Sequence, residues 1–306
     1  MSTVQFHLAN ALPVVKGLKI PLSRDQVMML MVAFNELMLA VEIVLAHSIS
    51  GTITNKEWIP IIFGPVAALA LGVAGLISLR KRAIALSIAI PTLLASIVIG
   101  LLGAYFHLNR AFLPYAPAGQ QTSISLVIWA PPILGPLTFA LAGLLGLSAI
   151  WREDPVDSGV LVFLGGLRVR LPFSKTRGYF FLVSLGMLAT LISSVLDHAR
   201  TSFTNPWLWV PTAAGILGVT VALGIGLTEA PGRFDVWVYL SSMVLIALVA
   251  VTGSVLHILD NLTAMNAIVG ERFIRGAPIL APLLFADMAS FGLAALMDPD
   301  ESNIQT

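Results

Sequence analysis

The sequence predicts an all-α polytopic membrane protein in which eight transmembrane helices form two parallel four-helix repeats. Apolar residues make up 57% of the 306 residues and charged residues only 11%, a composition that an ordinary soluble core cannot hide. The mean hydropathy is +0.91. Eight long apolar runs alternate with charged or proline-rich breaks, and rare residues recur at nearly constant spacing between the two halves of the chain.

Each apolar run is about the 20 residues that a helix needs to cross a bilayer, and none shows the alternating pattern of a barrel strand. The runs lie near residues 26–47, 60–80, 83–107, 127–150, 178–199, 210–229, 235–257 and 276–297. They divide the chain into a cytoplasmic N-terminal segment (1–25), a first repeat (26–150), a cytoplasmic basic linker (151–177), a second repeat (178–297) and a cytoplasmic tail (298–306).

Lysine and arginine are unevenly distributed between the two sets of loops. Five lie in the links after the odd-numbered runs, and the other twelve are Lys16, Lys19, Arg24, Arg80, Lys81, Arg82, Arg152, Arg168, Arg170, Lys175, Arg177 and Arg233. By the positive-inside rule, both termini are expected to be cytoplasmic in a multi-pass protein of the cell membrane. Residues 1–25 show no short apolar region followed by a cleavage site, so no removable signal peptide is expected.

The two halves share residues that are uncommon in apolar helices. At a spacing of 151 residues the matching pairs are His47 with His198, Trp58 with Trp209 and Pro60 with Pro211. At a spacing of 150 they are Gly103 with Gly253 and His107 with His257, and at 146 they are Pro132 with Pro278 and Pro136 with Pro282. Because the spacing changes only inside loops, we interpret the halves as products of a duplication. Four spans per repeat give both copies the same orientation.

Four of the five histidines lie at the extracytoplasmic ends of the odd-numbered runs. These are His47, His107, His198 and His257, whereas His7 lies in the N-terminal segment and is assigned no role. One imidazole at the membrane interface needs no functional explanation. Four at equivalent helix ends favour a shared site, because polar groups in a membrane are costly. Imidazole serves either as a proton carrier or as a metal ligand.

Two glycines favour haem over a bare metal ion at these histidines. Gly103 and Gly253 precede His107 and His257 by four residues, so they lie one helical turn away on the same face. A missing side chain there would leave a flat slot for a porphyrin. The alternative is close packing of two helices at the glycines.

Arginines and carboxylates near the histidines give two further indications. Arg110 and Arg200 lie two or three residues after a histidine, where a guanidinium can pair with a haem propionate. Carboxylates are too few for a typical dinuclear iron or manganese site, but a copper or zinc site of histidines remains open.

The pseudo-twofold axis limits how the histidines can pair. If two equivalent haems b are bound, the pairs are His47 with His107 and His198 with His257, or the corresponding pairs across the repeats. We favour pairing within repeats, and a single haem also fits the count. Both haems would lie side by side in the outer leaflet.

Two carboxylates fall near the middle of apolar runs. Glu36 precedes His47 by eleven residues on the same helix face, about 16 Å deeper in the membrane. Asp287 lies at a similar depth in the last run. Both are candidates for proton transfer or quinone binding by default. The alternative for Glu36 is a neutral carboxyl group that hydrogen-bonds across helices.

The histidine-bearing segments "VLAH", "GAYFH", "VLDH" and "GSVLH" give the chain a resemblance to the hydrophobic b-type cytochrome subunits of respiratory complexes. The layout is most similar to the membrane subunits of archaeal b-type cytochromes. It differs from the cytochrome b of quinol–cytochrome c reductases, which carries two histidines at two depths on each ligand helix. The resemblance implies electron transfer between an extracytoplasmic redox protein, or other respiratory subunits, and quinone.

Two other functions remain open from the sequence, namely a non-haem metal oxidoreductase subunit and a two-repeat proton-coupled transporter that uses Glu36 and Asp287. The chain has no cysteine, which excludes thiolate ligands and disulfides within it. No phosphate-binding loop or dinucleotide fingerprint occurs. The net charge of +1 gives no indication of nucleic-acid binding, and the partners expected are membrane lipid, redox proteins and quinone.

Overall fold

The computed structural model describes residues 22–48, 51, 53–78, 81–263 and 268–297. Several residues used in the sequence analysis lie outside the described residues, namely His7, Lys16, Lys19, Arg80 and the tail 298–306.

Helices dominate the described part of the chain. They are α1 (Arg24–Ser48), α2 (Trp58–Ile77), α3 (Arg82–Arg110), α4 (Ile124–Trp129), α5 (Leu134–Ile150), α6 (Lys175–Ala199), α7 (Trp209–Leu227), α8 (Arg233–Thr263), α9 (Arg272–Arg275) and α10 (Leu283–Ala295). Short 3₁₀ turns occupy Leu164–Gly166 and Pro206–Leu208. A small sheet contains β1 (Arg152–Glu153), β2 (Val160–Val162) and β3 (Arg168–Arg170).

Six of the described helices, α1, α2, α3, α6, α7 and α8, are long and apolar enough to cross a bilayer. The fold is therefore that of a helical membrane protein. Helices α5 and α10 are also apolar but contain only 17 and 13 residues. At 1.5 Å per residue they reach about 26 and 20 Å, which is shorter than the hydrocarbon core of about 30 Å.

The expectation of continuous helices over 127–150 and 276–297 is wrong. The first run is divided into α4 and α5 by a non-helical stretch at 130–133, and the second is helical only from Leu283. Proline causes both interruptions. Pro131, Pro132 and Pro278 lack an N–H group for the helix ladder, and each disfavours helical backbone at the residue before it.

The linker 151–177 contains the sheet, which the hydropathy pattern did not predict. The strands are antiparallel in the order β1-β2-β3. Glu153 is buried, and its carboxylate accepts N–H bonds from Asp157 at 3.0 Å, Gly159 at 2.7 Å and Lys175 at 2.9 Å. Burial raises the pKa of Glu153, although these three hydrogen bonds oppose the shift. The carboxylate thereby ties the sheet to the start of α6.

The helices pack in the same pairs in each half of the chain. Helix α1 contacts α2 and α5, α2 also contacts α3, and α3 contacts α5. In the second half, α6 contacts α7 and α10, α7 also contacts α8, and α8 contacts α10. The two halves meet where α5 packs against α6 and where α10 packs against α1.

Candidate functional site

Two of the predicted site histidines lie beside each other at the ends of α1 and α3. The ring centroids of His47 and His107 are 6.1 Å apart and their planes are inclined by 52°. Both side chains are half-buried. These two imidazoles come from the same half of the chain, in agreement with the pairing that the sequence analysis favours.

The second pair consists of His198, near the end of α6, and His257, in the last third of α8. The two imidazoles are close enough to interact electrostatically. The ring of His198 also packs edge-on against Phe203 at 6.0 Å, and Phe203 stacks on Trp209 at 4.5 Å. One imidazole of the second pair is therefore in contact with an aromatic stack.

Backbone carbonyl groups orient two of the imidazoles in the same way. Nδ1 of His107 lies 2.8 Å from the Pro132 carbonyl oxygen, and Nδ1 of His257 lies 2.7 Å from that of Pro278. A carbonyl oxygen can only accept, so Nδ1 carries the donated hydrogen. In the neutral ring Nε2 is then the nitrogen with a lone pair, which is the arrangement found in metal-binding histidines.

His47 is oriented from within its own helix. Its Nδ1 lies 2.9 Å from the carbonyl oxygen of Ile43, one turn earlier in α1. The hydrogen-bond pattern of His198 is different, because its Nδ1 lies 3.5 Å from the hydroxyl oxygen of Ser194.

Arg200 shows that both histidine pairs lie at the same end of the bundle. Its guanidinium group donates to the carbonyl oxygens of Ile128 at 2.9 Å and Ala130 at 3.1 Å. These carbonyl groups lie just before Pro132, the residue that accepts from His107. The end of α6 therefore lies next to the end of α3.

The two arginines expected near haem propionates differ in their surroundings. Besides its two carbonyl contacts, Arg200 forms an ion pair with Asp197 at 3.5 Å, so its main visible role is to hold the non-helical stretch before α5. Arg110 is exposed at the last residue of α3. It remains available to an acidic group outside the bundle.

The slots expected beside the two glycines are filled by proline. A Cβ atom added to Gly103 would lie 2.7 Å from Cβ of Pro136, and one added to Gly253 would lie 3.2 Å from Cβ of Pro282. The expectation of an open porphyrin slot at these glycines is therefore wrong. Their absent side chains allow the first turns of α5 and α10 to approach α3 and α8 closely.

Glu57 is a residue of this site that the sequence analysis missed. Its Oε1 atom lies 3.9 Å from Nε2 of His47, and it is also within electrostatic range of His107. The signal in the sequence was the position of this carboxylate immediately before Trp58, at the start of the second run. Its counterpart at the 151-residue spacing is Leu208, whereas the carboxylate within electrostatic range of His198 is Asp197, so the two histidine pairs have their acidic neighbours at different positions.

The two deep carboxylates lie in separate contacts. Glu36 is fully buried in α1 and accepts a hydrogen bond from the Ser96 hydroxyl of α3 at 2.7 Å. Asp287 of α10 accepts a hydrogen bond from the Asn35 amide of α1 at 2.9 Å. Asn35 and Asp287 also line a small cavity where α1, α5 and α10 meet, together with Thr138.

Each histidine pair offers two imidazole donors. Among the residues that the structure describes, no three His, Asp or Glu side chains are placed to hold a metal ion. A haem iron needs only two axial ligands from the protein, whereas copper and zinc sites use three or more.

No protein family, curated protein or solved structure matches the chain.

Proposed function

We propose that the chain is an integral-membrane b-type cytochrome subunit that passes electrons between an extracytoplasmic redox partner and the quinone pool. The observation that carries the proposal is the imidazole pair His47 and His107. A metal lies about 2 Å from an imidazole nitrogen, so its distance from the ring centre is about 3 Å. Two imidazoles on opposite sides of one iron therefore have centroids about 6 Å apart, and the observed distance is 6.1 Å.

The hydrogen bonds of the imidazoles support the same role. Pro132 and Pro278 hold the Nδ1–H groups of His107 and His257, which fixes the ring orientation and makes Nε2 more basic. His47 with His107 would hold one haem b, and His198 with His257 a second. The bound haem would supply reversible one-electron oxidation and reduction, while the protein would fix the ligands.

We also propose that the chain crosses the membrane eight times as two parallel four-helix repeats. Helices α5 and α10, each with the non-helical stretch before it, would complete the fourth and eighth crossings. Equivalent contacts in the two halves support this arrangement. The repeated pairs are Gly103 with Pro136 and Gly253 with Pro282, together with His107 to Pro132 and His257 to Pro278.

A reciprocal contact between the halves supports the pseudo-twofold axis. Arg24 donates to the Thr176 hydroxyl at 2.7 Å, and Lys175 donates to the Asp25 carboxylate at 2.5 Å. At the 151-residue spacing, Arg24 corresponds to Lys175 and Asp25 to Thr176. Each residue therefore contacts the counterpart of its own neighbour, as in an interface between two subunits related by a twofold axis.

We propose an orientation from the charges at the two ends of the bundle. Arg24, Arg82, Lys175 and Arg177 lie at the first turns of their helices, away from the histidines. We place this basic end in the cytoplasm and the histidines near the outer surface. Electrons would then be exchanged on the outer side, with Glu36 and Asp287 as candidates for quinone binding or proton transfer.

The test is an absorption spectrum of the purified chain before and after reduction with dithionite, with haem extracted and quantified per chain. We expect a Soret band, a b-type reduced spectrum and one or two haems per chain. Protein that remains folded and contains neither haem nor a Soret band after expression with excess haem would contradict the proposal.

A proton-coupled transporter is the second candidate. The observation that favours it is the hydrogen bond between Asn35 and Asp287 across the two halves, beside a cavity. A proton-flux assay on the reconstituted chain separates the candidates. Transport predicts a flux that D287N abolishes, whereas the cytochrome predicts a haem spectrum and no such flux.

A further inference from the structure

The turn between β2 and β3 presents two leucines outside the protein. Leu164 is 58% exposed and Leu167 is 63% exposed. Between them, Gly165 and Gly166 adopt φ angles of 73° and 80°, a left-handed backbone that favours glycine. The glycines close the turn without side chains of their own, so that its apolar surface comes from the leucines.

The strand register places this turn beside the end of α5. Strand β1 begins two residues after Ile150, the last residue of α5. Arg152 pairs with Val162, which in turn pairs with Arg168. The ring of Phe163 lies 4.4 Å from that of Trp151. Neighbouring strands are about 4.8 Å apart, so the turn lies about 10 Å or less from the end of this apolar helix.

Positive charge accompanies the two leucines. Arg168 and Arg170 are exposed on β3, which is an edge strand. Arg168 forms an ion pair with Asp154 at 2.7 Å, but both side chains are exposed, and such pairs contribute little energy. Guanidinium groups bind phosphate oxygens well. Leucines with arginines next to a helix end are typical of a segment that lies at a lipid headgroup region.

We propose that the turn Leu164–Leu167 is a lipid-binding loop. Its leucines would enter the boundary between headgroups and acyl chains, and Arg168 and Arg170 would contact the phosphates of anionic lipids. This proposal goes beyond electron transfer and does not depend on haem. A partner protein that adds a strand to β3 is the competing occupant. It is disfavoured because β3 has only three residues and the turn already lies beside the end of an apolar helix.

The test uses site-directed spin labels, which suit a chain without cysteine. A label on L164C reports the proposed loop. The matched control is S158C in the opposite turn, between β1 and β2. Both variants are reconstituted into phosphatidylcholine vesicles with and without phosphatidylglycerol. Collision rates are measured with oxygen, which concentrates in lipid, and with a polar nickel complex, which stays in water.

We expect the label at 164 to collide more with oxygen than with nickel, and the label at 158 to show the reverse. Two results would overturn the proposal. Equal nickel accessibility at both positions would place the turn in water. Exclusion of both reagents at 164 would indicate a protein contact, such as strand addition to β3.

A second variant tests the choice of anionic lipid. In R168Q/R170Q the preference for phosphatidylglycerol over phosphatidylcholine should fall roughly fivefold for each arginine removed. The preference is measured from the lipid that stays bound when the protein is extracted from nanodiscs of defined composition, with R168K/R170K, which keeps both positive charges, as the control. An unchanged preference in R168Q/R170Q would show that these arginines do not bind anionic lipid, against the proposal.

Discussion

At the residue scale, one hydrogen bond from each of two imidazoles stabilises the fold and also suits the proposed cofactor site. His107 and His257 donate to proline carbonyl groups that the interrupted helices leave without a helical partner. Backbone of this kind is tolerated at membrane depth only where the protein satisfies it. The same hydrogen bond directs Nε2 for metal binding. One contact thus supports both the fold and the proposed cofactor site.

Glu57 should influence the midpoint potential of the haem proposed at His47 and His107. The E57Q variant removes a negative charge 3.9 Å from His47. A nearby carboxylate stabilises the oxidised, more positive state, so we expect the midpoint potential of one haem to rise by tens of millivolts, as an order of magnitude. A potentiometric titration followed by absorbance measures this. The control E229Q, in the link between α7 and α8, should leave both potentials unchanged, and an equal shift in both variants would argue against a local effect.

The histidines became site candidates from the sequence because a rare residue that recurs at fixed spacing stands out in an apolar chain. Sequence reasoning did not identify Glu57, because a carboxylate in a polar loop carries no such contrast. The prediction of an open porphyrin slot at Gly103 was also wrong. The spacing to His107 predicts only that the two share a helix face, and whether a cofactor or Pro136 fills that face depends on the neighbouring helix.

At the scale of elements, the interruptions before α5 and α10 shape the site. Hydropathy alone predicts 127–150 as one span, because Ala130 and Ile133 are apolar although both lie between the two helices. The prolines were visible in the sequence. Their effect was underestimated because a proline in the first helical turn is harmless, whereas those at 131 and 132 lie between two helices.

Close packing at Gly103 should make this position intolerant of a side chain. In G103A the new Cβ would lie 2.7 Å from the ring of Pro136, which cannot move by rotation about a side-chain bond. We expect a loss of about 1 to 3 kcal/mol in the free energy of unfolding. Denaturant titration in detergent micelles measures it.

Gly72 of α2 is the matched control for that experiment. A Cβ there meets nothing within 4 Å, so G72A should be neutral. A G103A protein as stable as G72A would contradict the close contact between α3 and α5.

At the scale of the whole molecule, a buried polar cluster joins the two halves. Arg24 and Lys175 are 1% and 4% exposed, and both contact the opposite half. Tyr179 donates to the same Asp25 carboxylate that Lys175 contacts, at 2.9 Å. The spacing of rare residues predicted a duplication, which stays a prediction. The spacing did not predict these contacts, because they join positions that become neighbours only when the halves assemble.

The Asp25 charge should matter more than an exposed carboxylate does. The D25N variant keeps an oxygen for Tyr179 but removes the counter-charge of Lys175, whose side chain is 3% exposed. We expect it to lower the free energy of unfolding by about 3 kcal/mol. The control D260N breaks an ion pair whose carboxylate is 61% exposed and should change stability by less than about 0.5 kcal/mol. Equal effects in urea titrations would argue against a buried contact between the halves.

The most direct test of the central claim is the haem content of four single variants, H47A, H107A, H198A and H257A, measured per folded chain. Pairing within repeats predicts that H47A and H107A lose the same haem, with the same spectral component missing, and that H198A and H257A lose the other. The haem content and spectrum of H7A, the fifth histidine, should match those of the unaltered chain. Full haem content and unchanged spectra in all four variants would contradict ligation by these imidazoles.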